Sequence, residues 1–177
     1  INISRERIWT EFSKMMVSKD GAFLADVIRQ FTPVLEIVMP QIKPAVGFSQ
    51  NNRHHSMDVW EHTLCAVANS DNDIFVRIAV LLHDLGKPAV HTVDNFGESH
   101  FMKHQAESEK IAREILSSMK ADNKTKEIVS LLVKYHDDRI ENTDACVKRW
   151  LGRIGEENFL RLIKVKKADI FAHRKEY

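Results

Sequence analysis

A histidine and an aspartate, His83 and Asp84, stand side by side near the end of an almost wholly apolar run that begins at Ile74. Burying an imidazole and a carboxylate there without partners costs roughly 2 kcal/mol or more per polar group. A metal ion held by the pair removes that cost and gives it a chemical purpose. Further candidate ligands lie elsewhere: His62, after Val59-Trp60-Glu61, and Asp169, in Val165-Lys166-Lys167-Ala168-Asp169-Ile170. Metal-assisted hydrolysis needs a cation held by several protein groups, with positions left open for water and substrate. Imidazoles mixed with carboxylates suit octahedral divalent ions (Mn, Ni, Fe, Co or Mg) better than a closed tetrahedral zinc site, which favours cysteines. Adjacent residues on a helix diverge by about 100°, so His83 and Asp84 reach one ion only from its flank. The remaining ligands must then come from other helices.

Taken singly, each residue has a plainer reading. A His-Asp dipeptide is common, His62 alone reads as a core histidine bonded to a carbonyl, and Asp169 alone reads as the charged edge of an amphipathic helix. Their combination, at the ends of apolar helical runs, is what points to a metal. Lys87 follows the dyad after Gly86, where an ammonium is placed to meet a substrate phosphate as a point charge. It reads equally well as a solvated lysine beside a helix end.

The elements that would position these residues are helices. Ile8, Trp9, Phe12, Met15 and Met16 mark an amphipathic helix entered from Ser4, and Phe23 to Phe31 mark a second, expected to end at Pro33. Between Pro33 and Pro44 only a short helix around Leu35–Val38 is expected, followed by a polar loop from Gly47 to Arg53. Asp58-Val59-Trp60-Glu61 has the form of a capping box, which starts the helix carrying His62. Ser70 or Asp73 caps the next helix, which ends at Gly86 and Pro88. Val90, Thr92 and Val93, the turn-forming Asp94-Asn95-Phe96-Gly97, then His100 and Phe101 predict a small hairpin. Helices are expected again over 103–119, 124–136, 143–153 and 156–174. The expected fold is all-α, a helical bundle with one small β-hairpin, rather than α/β.

A chain of 177 residues suits one domain with a sizeable core, and 44% hydrophobic with 29% charged residues excludes a disordered or fibrous protein. A net charge of +1 excludes an overall basic nucleic-acid binder. Cys65 and Cys146 form no CxxC pattern, which fits a reduced, cytoplasmic protein. No apolar run approaches the roughly 20 residues needed to cross a bilayer, so no membrane partner is expected. The chain begins at Ile1 and stops in mid-helix at Tyr177, so it reads as a piece of a longer protein.

The series His62, His83-Asp84, Asp169 resembles the HD superfamily of metal-dependent phosphohydrolases. Asn51-Asn52-Arg53-His54-His55-Ser56-Met57-Asp58-Val59-Trp60-Glu61-His62-Thr63-Leu64 resembles the start of the HD domain of bacterial tRNA nucleotidyltransferases (the CCA-adding enzyme and poly(A) polymerase family). So do Leu81–Pro88, Gly97–Phe101 with His104, and Leu132–Asp137, and Ile3–Ile8 is similar to the segment after that family's catalytic and neck regions. The resemblance implies His62, His83, Asp84 and Asp169 as ligands, and His104 and His136 as extra histidines for a second metal or substrate phosphate. It places His54 and His55 near the substrate, although, lying before the helix cap, they read equally well as loop residues. His91, His100 and His173 are left as surface or hairpin residues. The implied organisation is an N-terminal helical segment (1–48) continuing from a neck or RNA-binding region, then an HD domain (49–177).

The chemistry so implied is hydrolysis of a nucleotide or RNA-end phosphoester, with His83, Asp84 and Lys87 at the reacting centre. Nucleotidyl transfer is not expected of this chain. Asp71-Asn72-Asp73 lacks a preceding glycine-rich strand and reads as a helix cap. A rival reading is a module that binds or scaffolds tRNA: the last thirty residues hold nine basic residues against four acidic.

Overall fold

Val76, Ile78, Ala79, Val80, Leu81 and Leu82 are all buried, so the helix they form has no solvent face and must lie at the centre of the molecule. The computed structural model describes residues 3–18, 20–50 and 57–174. It is an all-α bundle carrying one two-stranded hairpin. In chain order the elements are α1 (Arg5–Met16), α2 (Gly21–Val38), a 3-10 helix (Pro40–Ala45), α3 (Val59–Ala68), the central α4 (Ile74–Leu82) and the short α5 (Lys87–Val90). The hairpin strands β1 (Thr92–Val93) and β2 (Ser99–His100) follow, then α6 (His104–Ser118), α7 (Asn123–Tyr135), α8 (Asp144–Ile154) and α9 (Glu156–Arg174). α4 packs against α3, α7 and α9, while α2 covers α3 and α6 covers α7. Buried residues from α1 to α9 form one continuous core.

Local chemistry sets the helix starts. The side chains of Ser4, Asp20, Asp58, Asp73, Asp122 and Thr143 each accept from a backbone N–H in the first turn of the helix they precede. Asp73, rather than Ser70, caps α4, and the Ser70 hydroxyl donates back to the Val67 carbonyl instead. The Asp71-Asn72-Asp73 triplet is therefore structural. The Asp58 cap is half of a capping box, because Glu61 turns away to pair with Arg29 at 3.0 Å. The hairpin pairs Thr92 with His100 and Val93 with Ser99, closed by the Asp94 side chain accepting from the Phe96 and Glu98 amides.

Two expectations need correction. α2 does not end at Pro33 but runs through it to Val38, absorbing the separate short helix expected at 35–38. Pro33 lies on the exposed side, where water can solvate the carbonyl its ring leaves unbonded, while Ile28 and Leu35 anchor the inner face on either side. The second correction concerns α4, which stops at Leu82 rather than Gly86. Residues 83–86 form a turn leading into α5. The one charged residue within α4, Arg77, is 1% exposed and reaches the carbonyls of Met16 and Ser18, satisfying the open end of α1. Among the described residues no helix is long and apolar enough to cross a membrane.

Candidate metal centre

The turn after α4 resolves the geometric difficulty of adjacent ligands. His83 caps the end of α4 and Asp84 follows it in the turn, and their side chains approach each other, with His83 Nε2 3.2 Å from Asp84 Oδ2. The His83 ring folds back so that Nδ1–H donates to the Val80 carbonyl at 2.6 Å. A carbonyl can only accept, so this bond fixes the tautomer and leaves the Nε2 lone pair facing the site when the ring is neutral. The end of α7 repeats the device. His136 closes that helix, Nδ1–H donates to Val133 at 2.7 Å, and an aspartate, Asp137, again follows.

His62, on α3 and 0% exposed, places Nε2 2.9 Å from Asp169 Oδ1 on α9 and 3.8 Å from Asp84 Oδ2. His83 Nε2 lies 3.6 Å from the same Asp169 oxygen. It is buried and close to two carboxylates, yet makes no aligned hydrogen bond to either. On the other side, Asp84 Oδ1 meets His104 Nε2 at 3.2 Å and His136 Nε2 at 3.7 Å. Those two imidazole nitrogens are 3.1 Å apart, although each ring already donates through Nδ1 to a carbonyl, Phe101 for His104 and Val133 for His136. Two neutral rings so held present lone pairs to each other and to a carboxylate. A proton or a cation relieves that arrangement, so the residues present fit a divalent ion. Among the described residues, two groups have ligand atoms within 4.8 Å of one another: His62, His83 and Asp169, and His83, Asp84 and His136.

The electrostatics follow from burial and pairing. Burial pushes the His83 pKa down, but Asp84 and Asp169 outweigh it and raise it to about 10. Burial pushes the Asp84 carboxyl up, yet the charges of His83 and Lys87, with His104 and His136 close by, hold it well below the usual range. Asp169 is likewise held low, against burial, by His62 and His83. Burial keeps His136 toward its neutral form.

Lys87 is 6% exposed, with Nζ 2.7 Å from Asp84 Oδ2 and 2.8 Å from Gln50 Oε1. Its ammonium is thus turned to the carboxylate, although it also lines the cavity above the site. That cavity has a volume of about 250 Å³, and Met102, Asp137, Asp169 and His173 also line it. Six of the sequence-derived residues (His62, His83, Asp84, His104, His136, Asp169) converge from α3, α4, α6, α7 and α9. His54 and His55 lie outside the described residues. His91 and His100 sit on the hairpin, bonded to Ser99 and Asp94 respectively. His173 does not belong with them: it lines the cavity, 3.5 Å from Asp169 Oδ1, with its ring 4.6 Å from that of His62. Its spacing, one helical turn after Asp169, was the available signal. Gln50 and Lys166 were also missed. Lys166 Nζ donates to the His136 and Asp138 carbonyls, tying the end of α7 to the helix that carries Asp169.

An all-α bundle with a His-Asp pair at the end of its central helix and a histidine and an aspartate brought to it by flanking helices defines a class, and the HD domain model matches residues 53–173. The chain belongs to the HD domain family. It is similar to the CC-adding tRNA nucleotidyltransferase of Thermus thermophilus, at 30% identity over 85% of this chain and 36% of that protein. The A-adding tRNA nucleotidyltransferase of Deinococcus radiodurans is 28% identical over 84% of this chain and 35% of that protein. The multifunctional CCA protein of Azoarcus sp. is 30% identical over 74% of this chain and 32% of that protein. The chain spans about a third of the length of these relatives.

Proposed function

We propose that this domain hydrolyses phosphomonoesters or phosphodiesters of nucleotides or RNA ends, with a divalent cation (Mn, Ni, Fe, Co or Mg) held by His62, His83, Asp84 and Asp169. The observation that carries this reading is the convergence of buried imidazole nitrogens on two carboxylates beneath an open cavity. When bound, a divalent ion supplies Lewis-acid polarisation of a phosphoryl oxygen and lowers the pKa of a water. The chain's own residues supply the rest. Val80 and Val133 orient the rings of His83 and His136, and Lys87 fixes the charge and direction of Asp84, itself held by Gln50. His104 and His136 offer a second nitrogen pair for a further cation or a phosphoryl group on the far side of Asp84. We also propose that residues 1–48 continue from a separate neck region, although α1 and α2 share the core of the HD domain.

The test combines elemental analysis of protein purified without chelator with turnover of 2′,3′-cyclic nucleotides and a nitrophenyl phosphodiester. Turnover should require a divalent ion from this set, with Mn and Ni tried first, and vanish in chelator. Metal-loaded protein that cleaves none of these, or the corresponding monoesters, overturns the hydrolase. Two of these relatives are named tRNA nucleotidyltransferases, which favours a second reading, a tRNA-binding module of a larger enzyme. Three of the nine basic residues of the C-terminal cluster are committed within the chain. Arg161 pairs with Asp73 and Glu157, Lys164 with Asp71, and Lys166 with carbonyls. Salt-dependent tRNA binding without metal, and without turnover, would select that reading.

The raised His83 pKa predicts how metal binding depends on pH. Without a cation the ring is protonated up to about pH 10, and a metal must displace that proton. Apparent affinity should therefore rise about tenfold per pH unit from pH 7 toward 10 and then level off. In the metal-free state the sign reverses for stability. The charged His83 stabilises fully below its ordinary pKa of 6.5 and loses this as pH rises through 10. Asp84 and Asp169 stabilise above their ordinary 3.8 and lose this as pH falls through their depressed values. Titration calorimetry across this pH range checks the first claim; a pH-independent affinity would refute it.

A further inference from the structure

Phe101 to His104 link β2 to α6 through a tight turn in which the His104 N–H donates to the Phe101 carbonyl at 3.2 Å. The third residue of this turn, Lys103, takes the left-handed conformation, with φ 63 and ψ 24. Turns of this shape ordinarily place glycine or asparagine there, because a Cβ is strained. Strain of this kind persists only where surrounding contacts over-determine it, and it gathers at ligand clamps. Here the surrounding contacts are specific. The Phe101 carbonyl also accepts Nδ1–H of His104 at 3.0 Å, which aims Nε2 at Asp84. The Phe101 ring stacks on His91 at 5.4 Å and meets the Phe48 edge at 6.3 Å.

The same turn therefore sets a floor residue, His104, and a rim residue, Met102. Met102 lines the cavity yet is 75% exposed. Met102 thus contributes little to the core, and its exposed thioether stands at the mouth of a cavity with a charged floor. A cavity of about 250 Å³ is smaller than a typical small-molecule site of roughly 300–1,000 Å³. A phosphate seated on the His/Asp floor thus leaves a bulkier substituent at the mouth. A thioether packs well against an aromatic ring.

We propose that Met102 is a specificity-determining residue that packs against the base of a nucleotide whose phosphate occupies the floor. The strained Lys103 turn holds it there. The site then selects nucleoside phosphoesters over phosphoesters of small polar alcohols. The inference rests on the proposed phosphoester site only in requiring that a phosphoryl group bind the floor; it does not require turnover.

Two phosphonates, which cannot be hydrolysed, test it: adenosine 5′-phosphonate and methylphosphonate, titrated calorimetrically into Mn-loaded protein. The adenosine compound should bind at least about five-fold more tightly. Met102→Ala should remove most of that margin while moving methylphosphonate by less than about two-fold, and Met102→Leu should retain about half of it. Lys103→Gly should raise Tm by about 3 °C through relief of strain, and, because the same turn aims His104, weaken both compounds, the adenosine compound more. Equal affinities for the two probes, or equal weakening of both by Met102→Ala, overturn the proposal. A base-dependent margin in a protein that cleaves no phosphoester sustains it and overturns the hydrolase reading alone.

Discussion

Asp84→Ala should abolish stoichiometric divalent-ion binding and reduce phosphoester turnover by more than about 100-fold, since even residues that only orient ligands cost 10- to 100-fold when removed. The carboxylate serves both sides of the site: Oδ2 faces His62, His83 and Lys87, and Oδ1 faces His104 and His136. His83→Ala should give the same functional loss, because its Nε2 belongs to both candidate ligand groups. The two variants should differ in stability. Asp84→Ala leaves the Lys87 ammonium buried opposite only a neutral amide, and loss of one partner of a buried pair costs about 3–5 kcal/mol. His83→Ala instead removes a cation from a cluster that retains Lys87. The double variant Asp84→Ala/Lys87→Met should therefore recover about half of the stability lost by the single variant, while metal binding stays absent. Denaturant unfolding and elemental analysis read the two effects separately. Full metal occupancy in Asp84→Ala would remove the carboxylate from the ligand set.

What was legible in the sequence follows from what each signal depends on. The run into His83-Asp84 was informative because the mismatch between a buried helix and two polar groups is a property of composition and period alone. The Asp58 and Asp73 caps were legible for the same local reason. Pro33 was misread because its cost depends on which side of α2 it occupies, and tertiary packing decides that. The convergence of His83 and Asp84 was hidden by the assumption that the helix continues. The helix ends at this pair, and the two side chains meet at 3.2 Å. Gln50 carries no local signal, since its value comes entirely from Lys87, 37 positions away. His136-Asp137 was the overlooked repeat. An apolar run closed by a histidine, with a valine three residues earlier and an aspartate next, occurs at both 80–84 and 133–137. His173 was passed over because a histidine near a chain end resembles a surface residue until its partner at Asp169 is recognised.

Gly86→Ala should lower stability by about 3 kcal/mol and Tm by about 10 °C in a chain of this size. From sequence Gly86 reads as a helix-ending glycine, chosen for backbone freedom. The structure gives another reason, since its φ of −79 is one that alanine adopts without strain. What alanine lacks is room. Its Cβ would sit 2.5 Å from the His104 carbonyl oxygen, 2.5 Å from the Ser108 amide and 2.8 Å from the Ser108 hydroxyl. Two of these are backbone atoms of the first turns of α6 and cannot rotate away. The Gly86 N–H also donates to that Ser108 hydroxyl at 2.9 Å, so the close approach is itself a bond between α5 and α6. To admit a methyl group, α6 must shift, and it carries His104 away from Asp84. Metal-induced stabilisation should therefore fall along with basal stability. Gly152 supplies the control with the opposite sign. It lies inside α8 with nothing within 4 Å of its would-be Cβ, so Gly152→Ala should raise stability by about 1 kcal/mol through helix propensity and reduced unfolded-state freedom. Thermal unfolding of both variants, with and without Mn, decides the matter. If the two glycines respond alike, the contact between the turn at residue 86 and α6 is not what holds His104 in the site.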